Sequence, residues 1–226
     1  MKTTTAVLYD QAENGPLPIA FEMPRISYRE FVRLCQRHPD LRVERTEEGK
    51  LLFMPPAEAE GDSRNTAITT LLTLWNWNLP EPGKTFGPSA GFTLPNGATR
   101  SPDAAWISAV RWSALTATER RGFAHICPDF VVELLSPSDS LTETQLKLAE
   151  YLANGVALGL LIDRKRRVVE VYRSGQPTQT LTNPKEIPCD PELTGFTLPL
   201  AGGLGFSSRD FNPRRSRNVN YGTNSF

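Results

Sequence analysis

The chain has 226 residues, of which 39% are hydrophobic and 22% charged, and this balance favours a folded protein over a disordered one. Its 25 basic and 25 acidic residues cancel, so any contact with nucleic acid must come from a local patch. Three cysteines without a C-x-x-C pair, and only two histidines, disfavour zinc, disulfide and histidine-triad chemistry. Nothing resembles a signal peptide or a membrane span, and we expect a cytoplasmic protein.

The chain divides into three segments by composition. Residues 1–24 carry scattered prolines without a period, which predicts a loose leader. Residues 25–200 hold the periodic segments and predict a single domain. Residues 201–226 are polar and contain several arginines, which predicts a disordered tail.

The first half of the predicted domain combines two helices with a hairpin. Ser27 and Glu30 form a capping-box pattern, which predicts a helix that runs to about Arg37. Two short apolar-patterned runs at 41–45 and 51–54, joined by a glycine turn, predict a β-hairpin. An apolar stripe at helical spacing predicts a second helix over residues 64–78, with its tryptophans, Trp75 and Trp77, in the core.

The second half alternates strands with helices. Strands are predicted over 85–94, from Asp103 to about residue 110, over 128–135, over 158–163 and over 167–173, the last two joined by a tight basic turn. A short helix is predicted near residues 117–121 and a longer one over 141–154, before Gly155. The order predicts a mixed α/β protein whose helices flank a mixed sheet.

Two carboxylates on predicted strands indicate chemistry. Glu133 stands inside an apolar run, where an unpaired charge costs several kcal/mol, by a rough estimate, unless a cation relieves it. Asp103 opens a second apolar strand. Two such acids with a nearby lysine suit magnesium-dependent phosphodiester hydrolysis. The alternatives are a buried structural ion pair for Glu133 and a solvated strand end for Asp103.

The helix over residues 141–154 offers two partners for these acids. At about 100° per residue, Lys147 falls on a narrow polar face with Glu143, Glu150 and Asn154, which predicts a solvent-facing position. Gln145 falls on the apolar face, where an amide requires a polar partner. Both could reach the edge of a carboxylate site. From helical phase, Lys147→Ala should change stability by no more than roughly 0.5 kcal/mol.

These residues carry a resemblance to a known family. The chain resembles the Uma-type restriction endonuclease family, a domain family of unknown function within the PD-(D/E)XK nuclease superfamily. The resemblance extends from about Ile26 to Phe196, and its matching segments are residues 91–97, 101–103 and 132–138, Lys147 with Tyr151, residues 154–156 and 161–163.

The resemblance implies a restriction-endonuclease-like core: a mixed β-sheet flanked by helices, preceded by an N-terminal helix and hairpin. It implies that Asp103 and Glu133 bind Mg²⁺ or Mn²⁺. Leu135 stands where the superfamily places a lysine, so Lys147 would supply the basic group, with Gln145 as its neighbour at the site. Glu60 resembles an extra acid of such folds; the alternative is a plain loop acid.

The expected activity is that of a metal-dependent endonuclease acting on DNA, and a homodimer is compatible with it. One rival interpretation is a nuclease fold with weak or no catalysis that serves as a binding or assembly module. A second rival is a metal-assisted hydrolase of small phosphate esters.

Overall fold

The computed structural model describes residues 3–7, 20–54, 58–136 and 139–200. Within those residues lie the helices α1 (Tyr28–Arg37), α2 (Ala59–Trp77), α3 (Ala109–Ala114) and α4 (Leu141–Ala153). None of these helices is both long enough and apolar enough to span a bilayer. The predicted C-terminal tail falls outside the described residues.

A six-stranded sheet forms the centre of the domain. Its members, in spatial order, are β12 (Gln179–Thr182), β11 (Val168–Arg173), β10 (Leu158–Asp163), β9 (Phe130–Leu134), β8 (Ala104–Ile107) and β5 (Lys84–Phe86). The pair β9 and β10 is parallel, and the other neighbours are antiparallel. The expected mixed sheet flanked by helices is therefore confirmed.

Within the described residues, the chain also forms three smaller sheets. A four-stranded sheet has the order β4 (Leu51–Phe53), β3 (Val43–Arg45), β7 (Thr99–Arg100), β6 (Phe92–Thr93). Two-stranded sheets are formed by β1 (Thr3–Val7) with β2 (Ala20–Pro24), and by β13 (Glu186–Pro188) with β14 (Thr197–Pro199). The strands β1 and β2 lie in the predicted leader, and the sequence did not predict them.

The two faces of the central sheet pack against different helices. One face contacts α2 through Ile68 and Leu72, which lie in the same apolar cluster as Phe130 and Val132. The other face contacts α4 through Leu148 and Tyr151, which cluster with Val131, Leu161 and Tyr172. Side chains alternate along each strand, so each strand serves both clusters.

The register of the central sheet aligns its acidic residues. Leu161 pairs with Glu133 on one side and with Glu170 on the other, so these three positions form one row across β9, β10 and β11. Ala104 pairs with Val132 in the antiparallel pair β8–β9, which makes Asp103 and Glu133 the next positions on the two strands. Paired positions project to the same face. The sheet therefore gathers carboxylates on the face that α4 covers.

Several local predictions are confirmed. Ser27 and Glu30 close the capping box of α1 in both directions, and α1 ends at Arg37. The predicted hairpin is the pair β3–β4. Helix α4 spans the predicted range, and Gly155 after it has φ +99°, a left-handed conformation that glycine adopts without steric cost.

Other local predictions are wrong. The single strand predicted over 85–94 is two strands in different sheets, β5 and β6, because the intervening run contains Gly87 and Pro88. The short helix lies at Ala109–Ala114, after N-cap Ser108, rather than near 117–121. Trp75 packs against Trp106 in the core, but Trp77 is 69% exposed. Trp77 is two residues, about 200°, beyond Trp75 on α2, so it lies on the opposite side of the helix from the residues that pack on the sheet.

Candidate active site

Asp103 immediately precedes β8, and two hydrogen bonds fix its carboxylate. The Leu134 N–H donates to its Oδ2 (2.8 Å), and Asn65 Nδ2 on α2 donates to its Oδ1 (2.9 Å). Burial raises the pKa of this carboxyl, while the Leu134 hydrogen bond and the charge on Lys147 oppose the increase. Asp103 is therefore a held, partly desolvated carboxyl and not a solvated strand end.

Glu133 lies in the interior of β9, as predicted, and is 7% exposed. Its strand is the hydrogen-bonded neighbour of the strand that Asp103 precedes. Burial raises the pKa of Glu133 to about 8; Lys147 opposes this shift, and the charges of Asp103 and Glu44 add to it. The two predicted acids therefore lie on adjacent strands, and the charges of Asp103 and Glu44 both disfavour ionisation of Glu133, which is the situation that a bound cation relieves.

Lys147 reaches this pair from α4. Its Nζ lies 2.9 Å from Glu133 Oε1 and 2.9 Å from Glu44 Oε1, and it donates to the Ser101 carbonyl (3.1 Å). Its side chain is only 13% exposed. The solvent-facing position predicted from helical phase is therefore wrong. Burial would lower the pKa of Lys147, but Glu133 and Glu44 together raise it, and the ammonium stays protonated.

Glu44 is the residue that sequence reasoning missed. It lies on β3, is 2% exposed, pairs with Arg100 (Nη1–Oε2 3.2 Å) and accepts from the Ser101 N–H (2.9 Å). Burial would raise its pKa, but the charges of Lys147 and Arg100 lower it overall. In sequence Glu44 stands among alternating charged residues of a short hairpin, a pattern typical of a solvated face, so no local signal distinguished it.

On the polar face of α4, Lys147, Glu150 and Asn154 are half-buried against the residues around β7, whereas Glu143 is exposed. Glu150 accepts from Arg100 Nε (2.5 Å) and from Asn96 Nδ2 (2.9 Å). Asn154 Oδ1 accepts from the Asn96 N–H (2.9 Å). These contacts explain the error over Lys147, since the face predicted to meet water meets polar partners from the four-stranded sheet.

Gln145 contacts a different acid. Its Nε2 donates to both carboxylate oxygens of Glu170 (2.8 and 3.0 Å), and the Tyr172 hydroxyl also donates to Glu170 (2.7 Å). The predicted polar partner of Gln145 exists, but it lies on β11, two strands from Glu133. Its predicted role at the metal site stays a prediction.

Comparison with known proteins identifies the family of the chain and a solved structure with a similar fold. The family model described as "Uma2: Putative restriction endonuclease" matches residues 28–201. The chain belongs to the Uma2 family. Among solved structures it is similar to the crystal structure of a putative nuclease belonging to DUF820 from Anabaena variabilis ATCC 29413, at 20% identity and a TM-score of 0.62. That alignment covers 76% of this chain and 96% of the other, and at this identity it shows the fold alone. The comparison with curated proteins found no match.

The third acid that the resemblance suggested is exposed. Glu60 lies in the first turn of α2 and forms an ion pair with Arg64, one turn later. Its side chain is 81% exposed. A role as metal ligand would require Glu60 to leave this pair, and its assignment stays a prediction.

The oxygen atoms beside Asp103 suit a hard cation. Asn65 is 6% exposed, and its Oδ1 is buried without a hydrogen-bond partner, next to the Nδ2 that holds Asp103. Across the described ranges, no three Asp, Glu, His or Cys side chains are grouped as a metal site. Two carboxylates and one amide oxygen nevertheless form the oxygen-only donor set that Mg²⁺ accepts while it keeps several waters. The residues present therefore fit a magnesium ion.

Proposed function

We propose that this Uma2-family protein is a magnesium-dependent endonuclease that hydrolyses phosphodiester bonds in DNA. The observation that carries the proposal is the adjacency of Asp103 and Glu133 on neighbouring strands, with the Lys147 ammonium 2.9 Å from Glu133. The choice of DNA as substrate rests on the family description, since neither the fold nor the site selects a nucleic acid.

Asp103 and Glu133 would hold the ion, with Asn65 Oδ1 as a third oxygen. A bound Mg²⁺ supplies a Lewis acid that lowers the pKa of a water molecule and offsets the charge of a phosphate. The Asn65 and Leu134 hydrogen bonds orient the Asp103 carboxylate for this role.

Lys147 would contribute positive charge and not a base. Its pKa is raised by the carboxylates around it, so at neutral pH it has no lone pair with which to accept a proton. A fixed ammonium beside the carboxylates can stabilise negative charge that develops on a phosphate during hydrolysis. Glu44 and the Ser101 carbonyl hold that ammonium in place.

The test is cleavage of supercoiled plasmid and of single-stranded DNA with Mg²⁺, with Mn²⁺ and with a chelator. Asp103→Asn and Glu133→Gln should each abolish metal-dependent cleavage. Glu143→Gln is the matched control, because it neutralises an exposed carboxylate on α4, the helix that carries Lys147. We expect it to cleave at the parental rate.

A metal titration of the parental protein, followed by calorimetry, separates the rivals. Metal binding that Asp103→Asn abolishes, without cleavage of either DNA, would favour a hydrolase of other phosphate esters. Absence of both binding and cleavage would contradict the proposal and favour the binding or assembly module.

A further inference from the structure

The turn between β10 and β11 concentrates positive charge. Residues 164–167 read Arg-Lys-Arg-Arg, four consecutive cations in a chain whose formal net charge is zero. Lys165, Arg166 and Arg167 are all exposed. A protein without excess charge can contact a polyanion only through such a local patch.

This turn lies at the same edge of the sheet as the candidate active site. The strands β9 and β10 are parallel, with Glu133 paired to Leu161 and Leu134 paired to Ile162, so both strands end at one edge. The turn begins directly after Asp163, the last residue of β10. Arg164 lies three positions after Leu161, which places the turn about 10 Å beyond the level of Glu133 along the strand direction. That distance corresponds to about three nucleotide steps of a DNA strand.

Local acid does not neutralise the turn. Asp163 is 3% exposed; its Oδ1 accepts from the Arg166 N–H (2.9 Å), and its Oδ2 lies 3.7 Å from Arg166 Nη1. The Arg166 side chain nevertheless stays 54% exposed. The Asp163 carboxylate contacts Arg166, and the charge of Glu60 acts on Arg164. Lys165, Arg166 and Arg167 nevertheless stay exposed, so the turn keeps a positive surface.

The backbone of the turn is held in one conformation. The Arg167 N–H donates to the Arg164 carbonyl (3.3 Å), and the Asn183 N–H donates to the Arg167 carbonyl (2.7 Å). Arg167 has φ +55°, a left-handed conformation that costs free energy in a residue other than glycine. The fixed backbone presents the three exposed cations together. Less conformational entropy is therefore lost when the turn binds a ligand.

Helix α2 connects the turn with the site. Burial and then the charge of Arg64 lower the pKa of Arg164, while Glu60, the ion-pair partner of Arg64, opposes the decrease, so this pair and Arg164 lie within electrostatic reach of one another. Arg64 immediately precedes Asn65, which holds Asp103. Helix α2 therefore places the residue that holds Asp103 next to one whose charge reaches the turn.

We propose that the basic turn at residues 164–167 binds the phosphodiester backbone of a nucleic acid substrate beside the cleavage position. The proposal rests on the proposed nuclease function for the identity of the substrate. Each phosphate neutralised by a lysine or arginine releases counterions, so such a contact contributes affinity that salt weakens.

The test uses the full-length protein and a fluorescent DNA duplex, with binding measured by anisotropy in a chelator over a range of salt concentrations. The turn variant carries Lys165→Gln, Arg166→Gln and Arg167→Asn, where asparagine tolerates the left-handed conformation. The matched control removes three exposed arginines from α1 through Arg29→Gln, Arg33→Gln and Arg37→Gln. Thermal unfolding of each variant checks the fold.

The turn variant should bind at least about tenfold more weakly at low salt, and the slope of log affinity against log salt should fall by about 2 to 3. The α1 variant should keep the parental slope. An unchanged slope in the turn variant, an equal fall in the α1 variant, or no DNA binding by the parental protein would overturn the proposal. A parallel titration with single-stranded DNA of the same length shows whether the turn prefers single-stranded or duplex DNA. This experiment measures binding alone, so its result is independent of the cleavage assay. DNA binding through the turn, together with no hydrolysis in the cleavage assay, would contradict only the proposed catalysis.

Discussion

Helix α4 makes two polar contacts with the central sheet, and they differ in chemistry. Lys147 places an ammonium between the carboxylates of Glu133 and Glu44. Gln145, two residues earlier, places a neutral amide on Glu170, which also accepts from Tyr172. Glu133 and Glu170 belong to one row of the sheet, separated by Leu161.

The two contacts differ in how fully the acid is satisfied, which makes the Glu170 contact structural and the Glu133 contact suited to bind a cation. At Glu170, two neutral donors satisfy one carboxylate, and the group has its hydrogen bonds in place. At Glu133, one lysine is shared by two acids while a third acid, Asp103, lies on the next strand. This excess of acid over base leaves a demand for positive charge that a divalent cation would meet.

Breaking the Lys147 contact should have the largest effect. Lys147→Ala leaves two buried carboxylates without their shared cation, so we expect a loss of about 3–5 kcal/mol in the free energy of unfolding, measured by urea denaturation. Metal-dependent cleavage should also be lost. This expectation replaces the small change predicted from helical phase.

Lys147→Arg is the companion variant, because it keeps the charge. It should recover most of the stability and only part of the cleavage rate, since a planar guanidinium replaces a compact ammonium. Full cleavage by Lys147→Ala under conditions where it is folded would remove Lys147 from the mechanism.

The pH dependence of stability tests the environment of Glu133, one of the two acids that Lys147 contacts. Folding raises the pKa of Glu133 from 4.5 to about 8, so the folded state holds this proton more tightly than the unfolded state. The resulting stability is fully present below pH 4.5 and is lost as the pH rises through about 8. In a chelator, Glu133→Gln should therefore gain stability relative to the parent across this range, with a slope of at most about 1.4 kcal/mol per pH unit. Parallel stability curves for the two proteins would contradict the raised pKa.

Breaking the Gln145 contact should have a moderate effect on stability and none on catalysis. Gln145→Ala removes one of the two side chains that donate to Glu170, and we expect a loss of about 1–3 kcal/mol by chemical denaturation. Cleavage measured well below the melting temperature should stay at the parental rate. A folded but inactive Gln145→Ala would transfer the predicted catalytic role from Lys147 to Gln145.

Tyr172→Phe gives the smallest expected change. It removes the hydroxyl that donates to Glu170 and leaves the ring in the apolar cluster beneath α4. The free energy of unfolding should fall by about 0.5–1.5 kcal/mol. A loss as large as that of Lys147→Ala would show that the Glu170 contact is not the milder of the two.

Local patterns in the sequence determined the longer helices α1, α2 and α4, the central strands β8 to β11, and the two acids of the candidate site. The capping box of α1 and the glycine after α4 satisfy backbone groups within a few residues, so their signals are complete in a short window. The continuous apolar run around Glu133 indicated a strand that is buried on both faces, because a strand with one face in water alternates apolar and polar residues. A carboxylate within such a run is therefore expected to be buried.

Only the tertiary structure decided which groups surround those acids. Glu44 and Arg100 come from the four-stranded sheet, and no local pattern distinguishes a polar strand residue that meets water from one that meets a lysine on a distant helix. The polar face of α4 carried the same ambiguity, and Lys147 was misplaced for that reason. Likewise, the parallel pairing of β9 and β10 brings the basic turn to the edge that holds Glu133. Periodicity reports that a face is polar, whereas the partner of that face is set by contacts between segments far apart in the chain.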